Sequence, residues 1–124
     1  FRQDTASPGD AEAVVRHAVE RYGALHYAVN NAGIGGAAAP AGEVDLADWR
    51  RVIDINLNGI LYGMRYQIPA MLTSGAAGSA IVNMASIHGT VAAIGDVTAT
   101  TLSGSFAVFT SVMKPAATST AAAS

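Results

Sequence analysis

Residues of the right type for chemistry gather in three places along this 124-residue chain. The stretch VNNAGIGGAAAP, residues 29–40, holds Gly33-x-Gly35-x-x-Ala38, the spacing of a loop whose backbone can approach a pyrophosphate. That chemistry needs a helix to open where the loop ends, so that free N–H groups and the helix dipole face the anion. Here the glycines run into Ala37-Ala38-Ala39-Pro40-Ala41-Gly42, a poor helix start, and a flexible turn between strand and helix fits the glycine content better. Asn56 is the second place. It interrupts an apolar helical stripe, where an unpaired amide would cost roughly 1–3 kcal/mol. It is therefore either bonded to backbone at a helix irregularity or placed to hold a water near a site. Ser86 and His88 are the third. The serine taken alone is a helix cap or turn residue; the histidine is a surface or packing residue, or a catalytic one.

Composition narrows the chemistry further. Cysteine is absent, which excludes a disulfide framework and any thiolate nucleophile or metal site. His17, His26 and His88 stand too far apart for a local metal motif. With 51% hydrophobic and 13% charged residues and a net charge of −2, the chain is neither a disordered acidic tail nor a basic nucleic-acid binder. No run approaches a membrane span and the first residues do not form a signal peptide, so a cytoplasmic location is expected. Lys114 is the only lysine, and the last tyrosine is Tyr66.

The elements that must position these residues follow from periodicity. Ser7 can cap a helix that Pro8 begins and Gly23 stops, with Ala11, Val14, Val15, Ala18, Val19 and Tyr22 as its apolar stripe. Residues 24–30 read as a buried strand. A longer helix starts near Asp45 and carries Trp49, Val52, Ile53, Asn56, Leu57 and Ile60 onward to Leu72, with a bend at Pro69 and a stop at Gly75 and Gly78. Residues 79–86 read as a second buried strand. The order helix, strand, helix, strand implies an α/β fold with parallel strands under crossover helices. Ligands gather at the carboxyl ends of such strands, where Asn30-Asn31-Ala32-Gly33 and Ser86-Ile87-His88-Gly89 stand. Phe106, Val108, Phe109, Val112 and Met113 fit one short helix over residues 103–113. The chain thus reads as a domain over 1–114 and a low-complexity, disordered tail over 115–124.

In this order and spacing, VNNAGI, DWRRVIDINLNGILYGM and GSAIVNMASIHG resemble the short-chain dehydrogenase/reductase family over about residues 1–95. The resemblance implies a partial Rossmann-like doubly wound parallel sheet, holding the end of strand 3 with strands 4 and 5. It also implies NAD(P)-dependent interconversion of an alcohol and a carbonyl on a small molecule. Ser86 would then hydrogen-bond the substrate oxygen, and Asn56 would hold a water in the proton relay. Asn30, Ala32 and Gly33 would line the ribose side of NAD or NADP, and Asp4-Thr5 would match the pair whose carboxylate meets the adenine. The helices over 45–74 and 103–113 would build a homo-oligomer interface.

The pattern breaks at two points. The family's reaction needs a tyrosine as general acid/base and a lysine four residues on, whose charge lowers the tyrosine pKa. In TTLSGSFAVF an ungapped match puts Leu102 at the tyrosine and Phe106 at the lysine; a match that deletes the lysine is equally fair, and neither supplies the pair. Family members also begin with a strand, a glycine-rich phosphate loop and a helix, about sixty residues in two βαβ steps, with no counterpart here. The sequence therefore reads as a truncated or degenerate copy with little or no activity and weak or no cofactor binding. The open sheet edges of such a piece predict aggregation, rearrangement or a place in a longer chain. The alternative is a non-catalytic module that self-associates through the family's helical interface.

Overall fold

In a computed structural model, residues 1–75 and 77–86 are described. Ser7 starts the first helix, α1 (Pro8–Tyr22), by accepting the Asp10 N–H on Oγ at 3.2 Å, with Pro8 in the first turn. Gly23 ends it in the left-handed conformation at φ 83°, donating its N–H to the Val19 carbonyl at 2.8 Å. Ala11 and Val15 are buried on the expected stripe. Tyr22 is not: the last helical residue lies 78% exposed, with the Arg21 guanidinium 5.9 Å from its ring centre.

The long helix expected from Asp45 onward runs unbroken over Leu46 to Thr73 but contains a π-helical turn. Asp45 caps α2 (Leu46–Ile53), accepting the N–H groups of Ala47 and Asp48 at 2.8 Å each. A π-helical turn, Asp54–Asn58, comes next and leads into α3 (Gly59–Thr73). The wider turn shifts the register of α3, so part of the predicted stripe rotates outward. Leu57, Leu61 and Leu72 are 47%, 58% and 52% exposed, while Gly63 and Met71 are buried. The irregularity thus lies upstream of Pro69, through which α3 continues to Thr73.

The two strands, β1 (Tyr27–Asn30) and β2 (Ala80–Asn83), pair in parallel with Ala28 opposite Ile81 and Asn30 opposite Asn83. Gly75 and Gly78, at φ 91° and 85°, turn the chain from α3 into β2. Both strands are shorter than the apolar runs that announced them. β1 also departs from the expectation of a buried strand. Ala28 and Asn30 turn toward the helices, whereas Tyr27 and Val29 on the other face are 73% and 64% exposed. The physical reason is that α1 and α3 pack together on one side of the sheet, and no described element covers the other.

The fold is α/β with a parallel pair of strands joined by a helical crossover, as the order of elements requires. Val15, Met71 and Ile81 form the centre of the layer between sheet and helices. No helix among the described residues is long and apolar enough to cross a membrane. His88, Leu102, Phe106, Lys114, the helix expected over 103–113 and the tail over 115–124 lie outside the described residues.

Candidate functional site

The parallel register brings the carboxyl ends of β1 and β2 together, so residues 31–33 and Ser86 leave the sheet on the same edge. Behind that edge lies a group of amides. Asn30 donates from Nδ2 to Asn83 Oδ1 at 2.8 Å and to Gln67 Oε1 at 3.1 Å, while Gln67 Nε2 donates back to Asn30 Oδ1 at 2.8 Å. Asn83 Nδ2 reaches Met64 Sδ at 3.4 Å. Such a polar group under a sheet is tolerable only because its donors and acceptors answer one another. Gly63 makes room for it: a Cβ there would lie 2.9 Å from Asn30 Oδ1 and 3.2 Å from Gln67 Nε2.

Asn30 is therefore a strut whose side chain points away from the loop, and its carbonyl is occupied by the Met84 N–H at 2.9 Å. Asn31, Ala32 and Gly33 are exposed and remain available to a ligand.

Asn56 holds the loop from the π-helical turn. Its Oδ1 accepts the Ile34 N–H and its Nδ2 donates to the Ile34 carbonyl, both at 2.9 Å. Of the two readings of Asn56, the structure displays backbone bonding at a helix irregularity. Gly33 sits against the same amide, its Cβ direction 3.5 Å from Oδ1. Further along, the Ala37 N–H donates to Asp48 Oδ2 at 2.7 Å, and Asp48 Oδ1 pairs with Arg51 Nη2 at 2.9 Å. The Ala37 N–H, and then the Arg51 guanidinium, hold the Asp48 carboxyl below its usual range. The glycine loop ends in a 3₁₀ turn, Ala41–Glu43, and no α-helix opens at its end. It offers no helix N-terminus to a pyrophosphate.

Of the remaining predicted residues, Thr5 joins the group around β1, whereas Asp4 and Ser86 do not line the same cleft. Asp4 is engaged in the start of α1: Oδ1 accepts the Ala6 N–H at 3.0 Å, and its own N–H donates to Asp10 Oδ2 at 2.8 Å. Thr5 approaches Gly59 so closely that a Cβ there would stand 2.9 Å from the Thr5 carbonyl oxygen. Thr5, Asn30 and Ala32 line a common cleft of about 310 Å³. Ser86 is exposed, three residues beyond β2.

Sequence reasoning missed Gln67, Asn83, Gly63 and Asp48. The signal for the first two was the one that singled out Asn56, an amide inside an otherwise apolar run. Among the described residues no cluster of His, Asp and Glu fits a metal ion.

The sequence pattern of the short chain dehydrogenase family matches residues 1–116. Cyclohexanol dehydrogenase of an Acinetobacter species is 50% identical over 90 residues, covering 73% of this chain and 35% of that protein. A 2,5-dichloro-2,5-cyclohexadiene-1,4-diol dehydrogenase of Sphingobium indicum is 44% identical over 91 residues, 73% of this chain and 36% of its own length. Among solved structures, the NADH-dependent reductase A1-R′ of alginate metabolism, in complex with NAD, superposes with a TM-score of 0.74 at 25% identity. The superposition covers 86% of this chain and 45% of that one. The chain spans about a third of the length of the curated relatives it matches. It belongs to the short-chain dehydrogenase family, with the partial Rossmann fold that membership implies.

Proposed function

We propose that this chain is a truncated or degenerate copy of an NAD(P)-dependent oxidoreductase that interconverts cyclic secondary alcohols and ketones, with little or no activity of its own. The observation that carries the reading is the exposed Asn31-Ala32-Gly33 turn, fastened from behind by the Asn30 amide group and from the side by Asn56. Relatives named for cyclohexanol and a cyclohexadienediol support the substrate class. A relative solved with NAD supports the cofactor.

The residues present fit the ribose side of such a cofactor but not its pyrophosphate. The fastened turn presents backbone groups there, and the loop beyond it lacks the helix end a pyrophosphate requires. When bound, the nicotinamide accepts or gives a hydride. This chain's own contributions are the turn over 31–33 that orients it and the Ser86 hydroxyl that hydrogen-bonds the substrate oxygen. Asn56 acts as a positioning residue for the turn through its two bonds to Ile34, beside the water-holding role that the family resemblance implies for it. Asp4 is exposed, and the carboxylate whose Oδ1 accepts the Ala6 N–H would meet the adenine. Neither the ungapped match, with Leu102 and Phe106 at the tyrosine and lysine positions, nor the match that deletes the lysine supplies the proton-transfer pair, a loss of about 10²–10⁴ in rate for the general acid.

The test replaces the matching part of the Acinetobacter cyclohexanol dehydrogenase with residues 1–86. NAD(P)-linked cyclohexanol oxidation is expected to survive within about tenfold, and Ser86→Ala is expected to lower kcat by about 10²-fold or more. An unchanged rate for Ser86→Ala contradicts the assignment. A second reading, self-association, is favoured by one observation: Leu57, Leu61 and Leu72 lie exposed on a single helical face.

A further inference from the structure

We infer that Gln67 is a positioning residue for the cofactor: its carboxamide, clamped to that of Asn30, fixes the turn over 31–33 that would meet the nicotinamide ribose. The inference rests on the cofactor reading of that turn proposed above and adds a residue of α3 to it.

The clamp begins with a sulfur. A thioether accepts hydrogen bonds and donates none, so Asn83 turns Nδ2 toward Met64 Sδ and Oδ1 toward Asn30. Asn30 answers with Nδ2, whose second proton goes to Gln67 Oε1, and Gln67 Nε2 closes the pair on Asn30 Oδ1. Both protons of the Asn30 amide are then used and its oxygen is engaged. With Gln67 in place the side chain has one orientation. Without it a single bond to Asn83 would remain, and the last torsion of an asparagine is soft.

Helix α3 is shaped around this one amide. Gly63 and Gln67 stand four residues apart and share a helix face. The first clears space for Asn30 Oδ1, which a Cβ would meet at 2.9 Å, and the second donates to the same atom at 2.8 Å. Stability alone does not call for such a pair, since apolar side chains of the same shape in place of both partners can be equally stable. What the amides add is direction, a fixed orientation of each group relative to the next.

The clamp stands between the two functional segments. Asn30 is the last residue of β1, and Asn31 opens the exposed turn. The Asn30 carbonyl accepts the N–H of Met84, two residues before Ser86. Asn30 therefore joins the segment that would meet the cofactor to the segment that carries Ser86, and Gln67 holds that joint from the helix layer. A misplacement of about 1 Å between reacting groups can cost roughly 10²-fold in rate, so an orientation set here bears on chemistry.

The experiment has two arms. In the full chain, nitrogen relaxation reads the order of the backbone amides. Asn31 and Ala32 are expected to be rigid in the parent, with order parameters of about 0.85, and to fall below about 0.6 in Gln67→Met and Gln67→Glu. The methionine keeps the length of the side chain without the amide; the ionised glutamate keeps an acceptor but has no proton for Asn30 Oδ1. Ile34, held by Asn56, and the amides of α1 are expected to keep their order in both variants. In the graft of residues 1–86 into the Acinetobacter cyclohexanol dehydrogenase, both variants are expected to raise KM for NAD(P) about fivefold or more, with KM for cyclohexanol within about twofold of the parent graft. Loss of folded protein lowers the rate and moves neither KM. Unchanged order at Asn31 and Ala32 overturns the inference, and so does a loss of order spread evenly over α1 and the turn. Parental values of both KM in the variant grafts overturn it as well. A silent parent graft contradicts the catalytic reading instead, and the full-chain arm then decides the role of Gln67.

Discussion

The loop after β1 is fastened at two points by different chemistry. Near its start, Asn56 grips both backbone groups of Ile34 with a neutral, half-buried amide, backed by the Asn30, Gln67 and Asn83 group under the sheet. Farther on, Asp48 holds only the Ala37 N–H, and does so with a carboxylate that also serves Arg51 near the surface. The first fastening sits beside the exposed turn that would meet a ligand, and it carries no charge that solvent can titrate. The second lies where the chain crosses to α2, where some freedom costs the site little. Rigidity is placed next to the chemistry, and the titratable bond is kept away from it.

The contrast can be broken most severely from behind. Gly63→Val would drive a side chain into the Asn30 and Gln67 amides, combining overpacking with unpaired polar groups. A loss of about 3 kcal/mol in stability by urea denaturation is expected, where a neutral result would mean that the amide group is easily rearranged. Asn56→Ala removes both bonds to Ile34 and should cost about 1–2 kcal/mol. The Ile34 amide should lose its exchange protection at the same time.

The second fastening responds to acid. Because folding depresses the Asp48 pKa, its contribution is complete above the ordinary value of 3.8 and fades as pH falls through the lowered folded value. Below 3.8, the protection of the Ala37 amide relative to its intrinsic exchange rate should fall while that of Ile34 holds. Equal loosening at both residues would erase the distinction.

Much of this arrangement was legible beforehand. Ser7, Pro8 and Gly23 bounded α1, and two short apolar runs with helices between them announced parallel strands. Asn56 was visible as an amide in an apolar stripe, and an irregular helix was among its readings. Its partner was not visible, because a bond from a helix to Ile34 spans 22 positions and no local pattern reports it. The π-helical turn was hidden for a related reason. Its extra residue leaves a plausible stripe on either side, so Leu57, Leu61 and Leu72 looked inward when they face out. Tyr27 and Val29 read as buried because their residue types suit a core, and burial depends on a second layer that β1 does not have among the described residues.

The central claim is that the family's site is retained up to Ser86 and that the proton-transfer pair is lost beyond it. Two grafts into the Acinetobacter cyclohexanol dehydrogenase test it directly, one carrying residues 1–86 and the other residues 1–116, with cyclohexanol-dependent NAD(P)H formation as the readout. The shorter graft is predicted to turn over within about tenfold of its parent and the longer one to fall by a further 10²-fold or more, since it brings TTLSGSFAVF, which supplies no tyrosine and lysine pair in either alignment. Equal rates for the two grafts, or silence from the shorter one, would contradict the account.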